Sequence, residues 1–328
     1  MLEDGKRVAL AVDIGGTKIL VALVSEAGDI ISQENYLTLA DEGVEAVIDR
    51  LLTAVNHALE KAKMKSSQLS GLGVATAGVL DASRGVVTLS PNLLGWHNVP
   101  LGDIVAERLS VEAYIINDAS AAALGEYLLG AGVGVSNLIY VTVSTGIGGG
   151  IIIDGKLYLG ADGCAGEVGH VTVDVNGPRC NCGSTGCLEI LASGTAVARE
   201  AVTRVSRGEK SRITELVGHR LEDINASIVG VAAREGDVLA CDIIDKAANY
   251  LGIGLANLAN IFNPELIIVG GGMSRLGDML LEPARRVVRE RAFQLPARSL
   301  RIVPSQLGDN AGVLGAAMYV FQQTGRSL

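Results

Sequence analysis

The sequence predicts an α/β protein built from two related lobes. Three observations point there. Short apolar runs alternate with longer amphipathic stretches, the pattern of strands and covering helices. A unit of strand, glycine loop and strand occurs twice, about 130 residues apart. The chain has 328 residues, enough for two domains, and is 48% hydrophobic with 42 Gly and only 7 Pro, so it folds with many tight turns.

The formal charge of −9 argues against wrapping nucleic acid by charge. Anions must instead be held locally, by backbone N–H groups and helix ends. No apolar run reaches the length of a membrane span. Met1–Arg7 is charged and leads straight into a strand, so no signal peptide is expected. Three of the five cysteines fall between Cys180 and Cys187, which suits a metal site in a reducing cytoplasm better than a disulfide scaffold.

Taken in order, Val8–Ile14, Ile19–Val24 and Ile30–Leu39 read as a three-strand meander. Its first turn, Gly15-Gly16-Thr17-Lys18, follows Asp13 and gathers N–H groups, a hydroxyl and an ammonium. That is a hairpin turn or a phosphate loop. Val44, Val47, Ile48, Leu51, Leu52, Val55 and Leu59 mark an amphipathic helix within Asp41–Lys65, assigned to scaffold. Leu72–Ala77 is a strand ending at Gly78, and Ser90–Trp96 is a loop holding Asn92 and the only Trp. Tyr114–Ile116 is a strand and Ser120–Glu126 a helix, so Asn117-Asp118 sits at the junction. There the helix dipole favours a carboxylate, and Asp118 alone reads as an N-cap.

Asn137–Val143, the loop Ser144-Thr145-Gly146-Ile147-Gly148-Gly149-Gly150, Ile151–Ile153 and Lys156–Leu159 repeat the opening plan. Two such loops suggest facing lobes with nucleotide phosphates between them. His170, Cys180, Cys182 and Cys187 make a Cys₃His set, the donor chemistry of a closed structural zinc site. Cys164 and Cys241 read as small buried hydrophobes. Ser193-Gly194-Thr195 caps a helix, Thr203–Ile228 is a polar surface excursion, and Ala240–Ile261 is a long helix whose small residues permit close packing. After the strand Leu266–Val269, the turn Gly270-Gly271-Gly272 is a place for a nucleoside. Asp309-Asn310-Ala311-Gly312 begins a closing helix.

These motifs together resemble the ROK family of repressors and sugar kinases: Asp13-Ile-Gly-Gly-Thr-Lys18, Asn117-Asp118, Ser144–Gly150, Glu167-x-Gly-His170, the Cys180–Glu189 string and Asp309–Gly312. The match runs through nearly the whole chain, closest to the family's glucokinases. The resemblance implies the actin-like ATPase (ribonuclease H-like) fold, two α/β lobes of mixed sheets flanked by helices with a cleft between. Residues 1–117, joined by a C-terminal helix at 309–328, would form the small lobe, and 118–308 the large one.

The resemblance also implies roles. Asp118 would be the general base for a hexose 6-hydroxyl. Gly78, Asn92, Asn117, Asp118, Glu167, His170 and Glu189 would contact the sugar. ATP would be held by Asp13, Gly15, Gly16, Thr17 and Lys18 on one loop and by Ser144, Thr145, Gly146 and Gly148 on the other. Gly271 and Gly272 would lie near the nucleoside, with Mg²⁺ bridging phosphates near Asp13. Zn²⁺ on His170 and the three thiols would be structural, and the imidazole's other nitrogen would face the sugar. The family implies a homodimer or homotetramer, while the acidic charge and the lack of a span-length apolar run predict no nucleic-acid or membrane partner. Glucose is the expected substrate, and N-acetylmannosamine, N-acetylglucosamine or fructose are the alternatives. Ala119-Ser120, Ala77-Gly78-Val79 and Cys164 depart from the family pattern, and the second departure falls in the sugar pocket. A repressor would carry a helix-turn-helix domain ahead of Val8, and only Met1–Arg7 precede it. A binding protein without turnover would not need Asp13, Asp118 and both loops.

Overall fold

In the computed structural model, residues 7–90 and 92–325 are described. Met1–Lys6 of the charged leader, Pro91 of the 90–96 loop and the last three residues of the closing segment lie outside them.

The meander forms as β1 (Val8–Ile14), β2 (Lys18–Ser25) and β3 (Ile30–Leu37). β1 and β2 pair antiparallel from Val8↔Ser25 to Ile14↔Ile19, which leaves Gly15–Thr17 as the connecting turn. The scaffold helix α1 (Val44–Ala62) buries Val47, Ile48, Leu51, Val55 and Leu59, the stripe that the spacing predicts. β4 (Leu72–Thr76) is wholly buried. A three-stranded sheet that the periodicity does not reveal follows: β5 (Val79–Asp81), β6 (Val86–Leu89) and β7 (His97–Val99). These strands are too short for alternation to stand out. Next come α2 (Leu101–Leu109), β8 (Ala113–Asn117) and α3 (Asp118–Leu129).

The second copy is β9 (Leu138–Val143), β10 (Ile147–Ile153) and β11 (Lys156–Leu157). Beyond it lie α4 (Leu188–Ala192), α5 (Gly194–Ser206), α6 (Arg212–Leu216), α7 (Ala226–Arg234) and α8 (Val238–Phe262). The chain ends with β12 (Leu266–Gly270), α9 (Asp278–Arg291), α10 (Gln294–Ser299), β13 (Arg301–Pro304) and α11 (Ala311–Gln323). The two five-stranded sheets run β3-β2-β1-β4-β8 and β11-β10-β9-β12-β13, so the duplication legible in the loops extends to sheet topology. Among the described residues no helix is long and apolar enough to cross a membrane.

The chain divides into two compact units. One comprises Met1–Gly134, Gly150–Gly166 and Asp309–Leu328; the other comprises Val135–Gly149 and Glu167–Gly308. The expected boundary at 117/118 therefore moves past α3. The reason is the seam between α3 and α11 within the first unit. A Cβ on Gly315 would lie 1.7 Å from the Ala121 carbonyl, and one on Gly125 would lie 2.6 Å from that of Ala311. Gly315→Ala is accordingly expected to destabilise the protein by about 2–3 kcal/mol, an overpacking cost against rigid backbone. Urea unfolding checks this, and an unchanged midpoint would mean the helices do not meet so closely. In the second unit Gly252 of α8 plays the same part, since its Cβ would lie 2.6 Å from Val287 of α9.

Candidate active site

In the first unit the carboxyl ends of three parallel strands stand side by side. The registers Ile14↔Thr76 and Thr76↔Asn117 align the ends of β1, β4 and β8. The predicted residues Asp13, Gly15–Lys18, Gly78 and Asn117-Asp118 thus share one sheet edge, where ligands bind in open α/β sheets. The glycine turn is fixed from below. Gly15 N–H donates to Lys18 O at 2.9 Å, and the fully buried Thr38 donates its hydroxyl to Gly15 O at 2.6 Å. Gly16 and Thr17 remain exposed. Gly16 also abuts the 90–96 loop, for its Cβ would stand 3.1 Å from Asn92 Cβ. Trp96 is fully buried beneath that loop. Gly78 has φ +116° and no space for a side chain against Leu89 O, at 2.3 Å.

The cap of α3 is Asn117, not Asp118. Asn117 Oδ1 accepts from Ala119 N–H at 3.0 Å and Ser120 N–H at 3.1 Å. Asp118 is the first helical residue, with Oδ1 accepting from Ala119 N–H at 2.8 Å. Burial raises the Asp118 pKa above the usual carboxylate range, against the lowering effect of that bond. Asp13 is pushed up to about 7, first by burial, then by the Asp118 carboxylate, with Lys18 opposing and Asp309 adding a little. Lys18 Nζ in turn pairs with Asp309 Oδ2 at 3.0 Å. Gly312, in the first turn of α11, leaves room for Asp13, because a Cβ there would lie 2.3 Å from Asp13 Oδ2.

In the second unit β9 and β12 are parallel neighbours with Gly270↔Thr142, so the loops after them adjoin. The loop is shorter than expected, Ser144–Gly146, because β10 begins at Ile147 and takes Gly148 into the strand. Ser144 N–H donates to Gly146 O at 2.9 Å. Gly271 has φ +79° and packs its backbone on Val143 O. Ser144, Thr145 and Gly272 line a cavity of about 510 Å³, the size of a small-molecule site. Sequence reading misses the rest of its wall, which includes Thr195, Asn225, Arg234, Met273, Arg275 and Leu276. Thr195 is visible in sequence only as part of a helix cap and Asn225 only as part of a polar stretch, and no local pattern marks the others.

His170, Cys180, Cys182 and Cys187 converge, with donor atoms all within 4.8 Å of one another. Cys180 Sγ lies 3.8 Å from His170 Nδ1, and Cys182 Sγ lies 3.6 Å from Cys187 Sγ. Thiolates about 2.3 Å from a tetrahedral zinc stand roughly 3.8 Å apart, so the residues fit the ion. His170 Nε2 faces Glu167 Oε2 at 3.9 Å. Glu189, expected on the sugar, places Oε2 2.9 Å from Ile147 N, whose N–H donates to it. Neither remaining cysteine is buried as expected. Cys164 is exposed in an irregular loop, with Sγ 3.5 Å from Asp162 O, and Cys241 is half-buried on α8.

The chain is similar to known proteins over nearly its whole length. A family model described as "ROK family" matches residues 9–323. The glucokinase of Thermotoga maritima is 39% identical over 316 residues, which is 96% of this chain and 98% of the relative. A putative xylose repressor of a Caldicellulosiruptor species is 38% identical over 322 residues, 98% of this chain and 80% of the relative. A crystal structure of a ROK family glucokinase from Streptomyces griseus, in complex with glucose and AMPPNP, superposes with a TM-score of 0.86 at 38% identity. That superposition covers 96% of this chain and 99% of the other.

Proposed function

The chain belongs to the ROK family and is a sugar kinase of the actin-like ATPase fold, and on that premise we propose that it transfers the γ-phosphate of ATP to the 6-hydroxyl of glucose. The observation that carries the reading is the half-buried Asp118 carboxylate on the same sheet edge as the glycine turn 15–17. A sugar hydroxyl has a pKa far above neutrality, so a positioned carboxylate helps as charge develops on the attacking oxygen. Asp118 takes that proton. Its neighbour Asn117 spends Oδ1 on the helix cap and keeps its amide N–H groups for sugar. Gly78 and Asn92 would also contact the sugar.

Glu167, His170 and Glu189 would contact the sugar, and the loop Ser144–Gly146, with Gly148, would contact phosphate. Gly271 and Gly272 border the nucleoside, and the cavity beside them takes the base. In the first unit Gly15, Gly16, Thr17 and Lys18 hold phosphate oxygens, and Asp13 orients the nucleotide's Mg²⁺. The metal, when bound, neutralises charge on the transferring phosphoryl group. Zinc on His170, Cys180, Cys182 and Cys187 would organise the sugar-binding loop, with His170 Nε2 left to Glu167 and the sugar. The enzyme would work in the cytoplasm as a homodimer or homotetramer.

A coupled ADP-release assay with Mg-ATP against glucose, mannose, fructose, N-acetylglucosamine and N-acetylmannosamine tests this. Turnover is expected on glucose. Turnover confined to a 2-acetamido sugar would keep the chemistry and move the substrate. The repressor relative gives weight to a second reading, sugar binding without turnover, and silence on all five sugars with zinc present would favour it.

A further inference from the structure

We infer that Glu189 is a positioning residue for the nucleotide loop as well as a sugar contact, so that the zinc-bearing loop sets where the phosphate-binding backbone lies. The inference rests on the assignment of residues 144–148 to nucleotide.

Ile147 is the residue at which the loop becomes β10. Its N–H donates to Glu189 Oε2 at 2.9 Å. Gly146 has no space for a side chain on that side, since its Cβ would stand 2.3 Å from the same oxygen. The Ile147 carbonyl is met by Gly169, whose Cβ would lie 2.0 Å from it. The residue is therefore held at its N–H by Glu189, two positions after Cys187, while its carbonyl is packed closely against Gly169, one position before His170. The bond and the packing contact each lie within two residues of a member of the Cys₃His set. The other end of the loop is fixed independently. Gly194 N–H donates to Ser144 O at 2.7 Å, and Thr195 donates its hydroxyl to Thr145 O at 2.7 Å.

A carboxylate has two oxygens. With Oε2 spent on Ile147, Oε1 serves the sugar. One side chain then holds substrate and aims the N–H groups that meet the second substrate. Preorganised donors act only when held to fractions of an ångström, so a loosened Ile147 weakens nucleotide binding even without sugar.

The test uses full-length, zinc-loaded protein and three variants: Glu189→Ala, Glu189→Gln and Glu189→Asp. Zinc content, calorimetric AMPPNP binding without sugar, glucose KM and hydrogen exchange at the Ile147 amide are measured for each. Glu189→Ala is expected to weaken AMPPNP about tenfold and speed Ile147 exchange, with zinc retained. Glu189→Gln keeps an acceptor for Ile147, so AMPPNP binding and exchange return close to wild type while glucose KM stays raised. Glu189→Asp keeps the charge but falls one methylene short, and it should behave as Ala does toward AMPPNP. It carries the test if the Ala variant loses zinc. AMPPNP affinity and Ile147 exchange unchanged in Glu189→Asp would overturn the inference and leave Glu189 as a sugar contact alone. A wild-type protein that binds no AMPPNP would overturn the nucleotide assignment instead, with Ile147 exchange still deciding the grip.

Discussion

Asp118→Ala is expected to lower turnover at saturating Mg-ATP and glucose by ~10²-fold or more while glucose still binds. The residue stands first in α3 and Asn117 is its cap, so the helix start does not rest on the Asp118 carboxylate alone, although Asp118 Oδ1 accepts from Ala119 N–H. Burial lifts its pKa, which makes it a better proton acceptor than an exposed carboxylate. The base must be ionised to act. The kcat/KM profile should therefore fall as pH drops through that raised pKa, on a limb above the ordinary carboxylate range. Asp118→Asn removes the limb along with most of the activity. Turnover within a few-fold of wild type would mean the base is misassigned.

The same burial has a consequence for stability, and its sign is opposite to that of a salt-bridged carboxylate. A raised pKa means that the native state binds the proton more tightly than the unfolded chain does. For Asp13 the contribution is fully present below its unfolded value of 3.8 and is lost as pH rises through about 7. Near neutrality and above, both half-buried carboxylates disfavour the fold. Asp118→Asn should then melt higher than wild type at pH 8 while losing its activity. Stability is given up here for a pair of acids on one sheet edge, which is the pattern of a functional site.

How much of this could be read from sequence follows from how local each feature is. The meander, its duplicate, the glycine turns and the Cys₃His set are written within short segments whose residue types admit few conformations. Asp118 was legible because a strand-to-helix junction fixes where the side chain starts. Its cap was not, because Asn and Asp are near-equivalent caps and only the geometry of one turn decides between them. The cavity wall at Asn225, Arg234 and Arg275 was hidden because separate segments bring those residues together, and no spacing encodes that. The compact units divide after 134 rather than 117 for the same reason: the close backbone contact of Gly125 and Gly315 joins segments that are distant in sequence. Cys164 was read by residue type, and residue type says nothing about an irregular loop. Glu189 was carried over as a sugar contact, and its bond to Ile147 appears only in three dimensions.

Removing zinc should cut turnover by at least about 10–100-fold, since losing even one outer partner of a metal ligand typically costs that much. The reason lies in what the loop between His170 and Cys187 lacks. From Val171 to Cys187 the buried apolar side chains are Cys180 and Cys187, both members of the proposed ligand set, while Val171 and Val175 are exposed. Gly183 and Gly186 take positive φ to fold the loop, so its backbone has little intrinsic preference for this shape. Without an ion, the loop has almost no core of its own, and structural zinc contributes folding energy of order 10 kcal/mol in small sites. Metal analysis should find zinc stoichiometric with the chain, and Cys187→Ser should lose it. After stripping with a strong chelator, hydrogen exchange should quicken from His170 to Glu189 while the strands of the first unit, including β1 and β4, stay protected. Added zinc should restore both exchange and turnover. Full activity in protein verified to hold no zinc would separate the cluster from catalysis and leave it a fold element only.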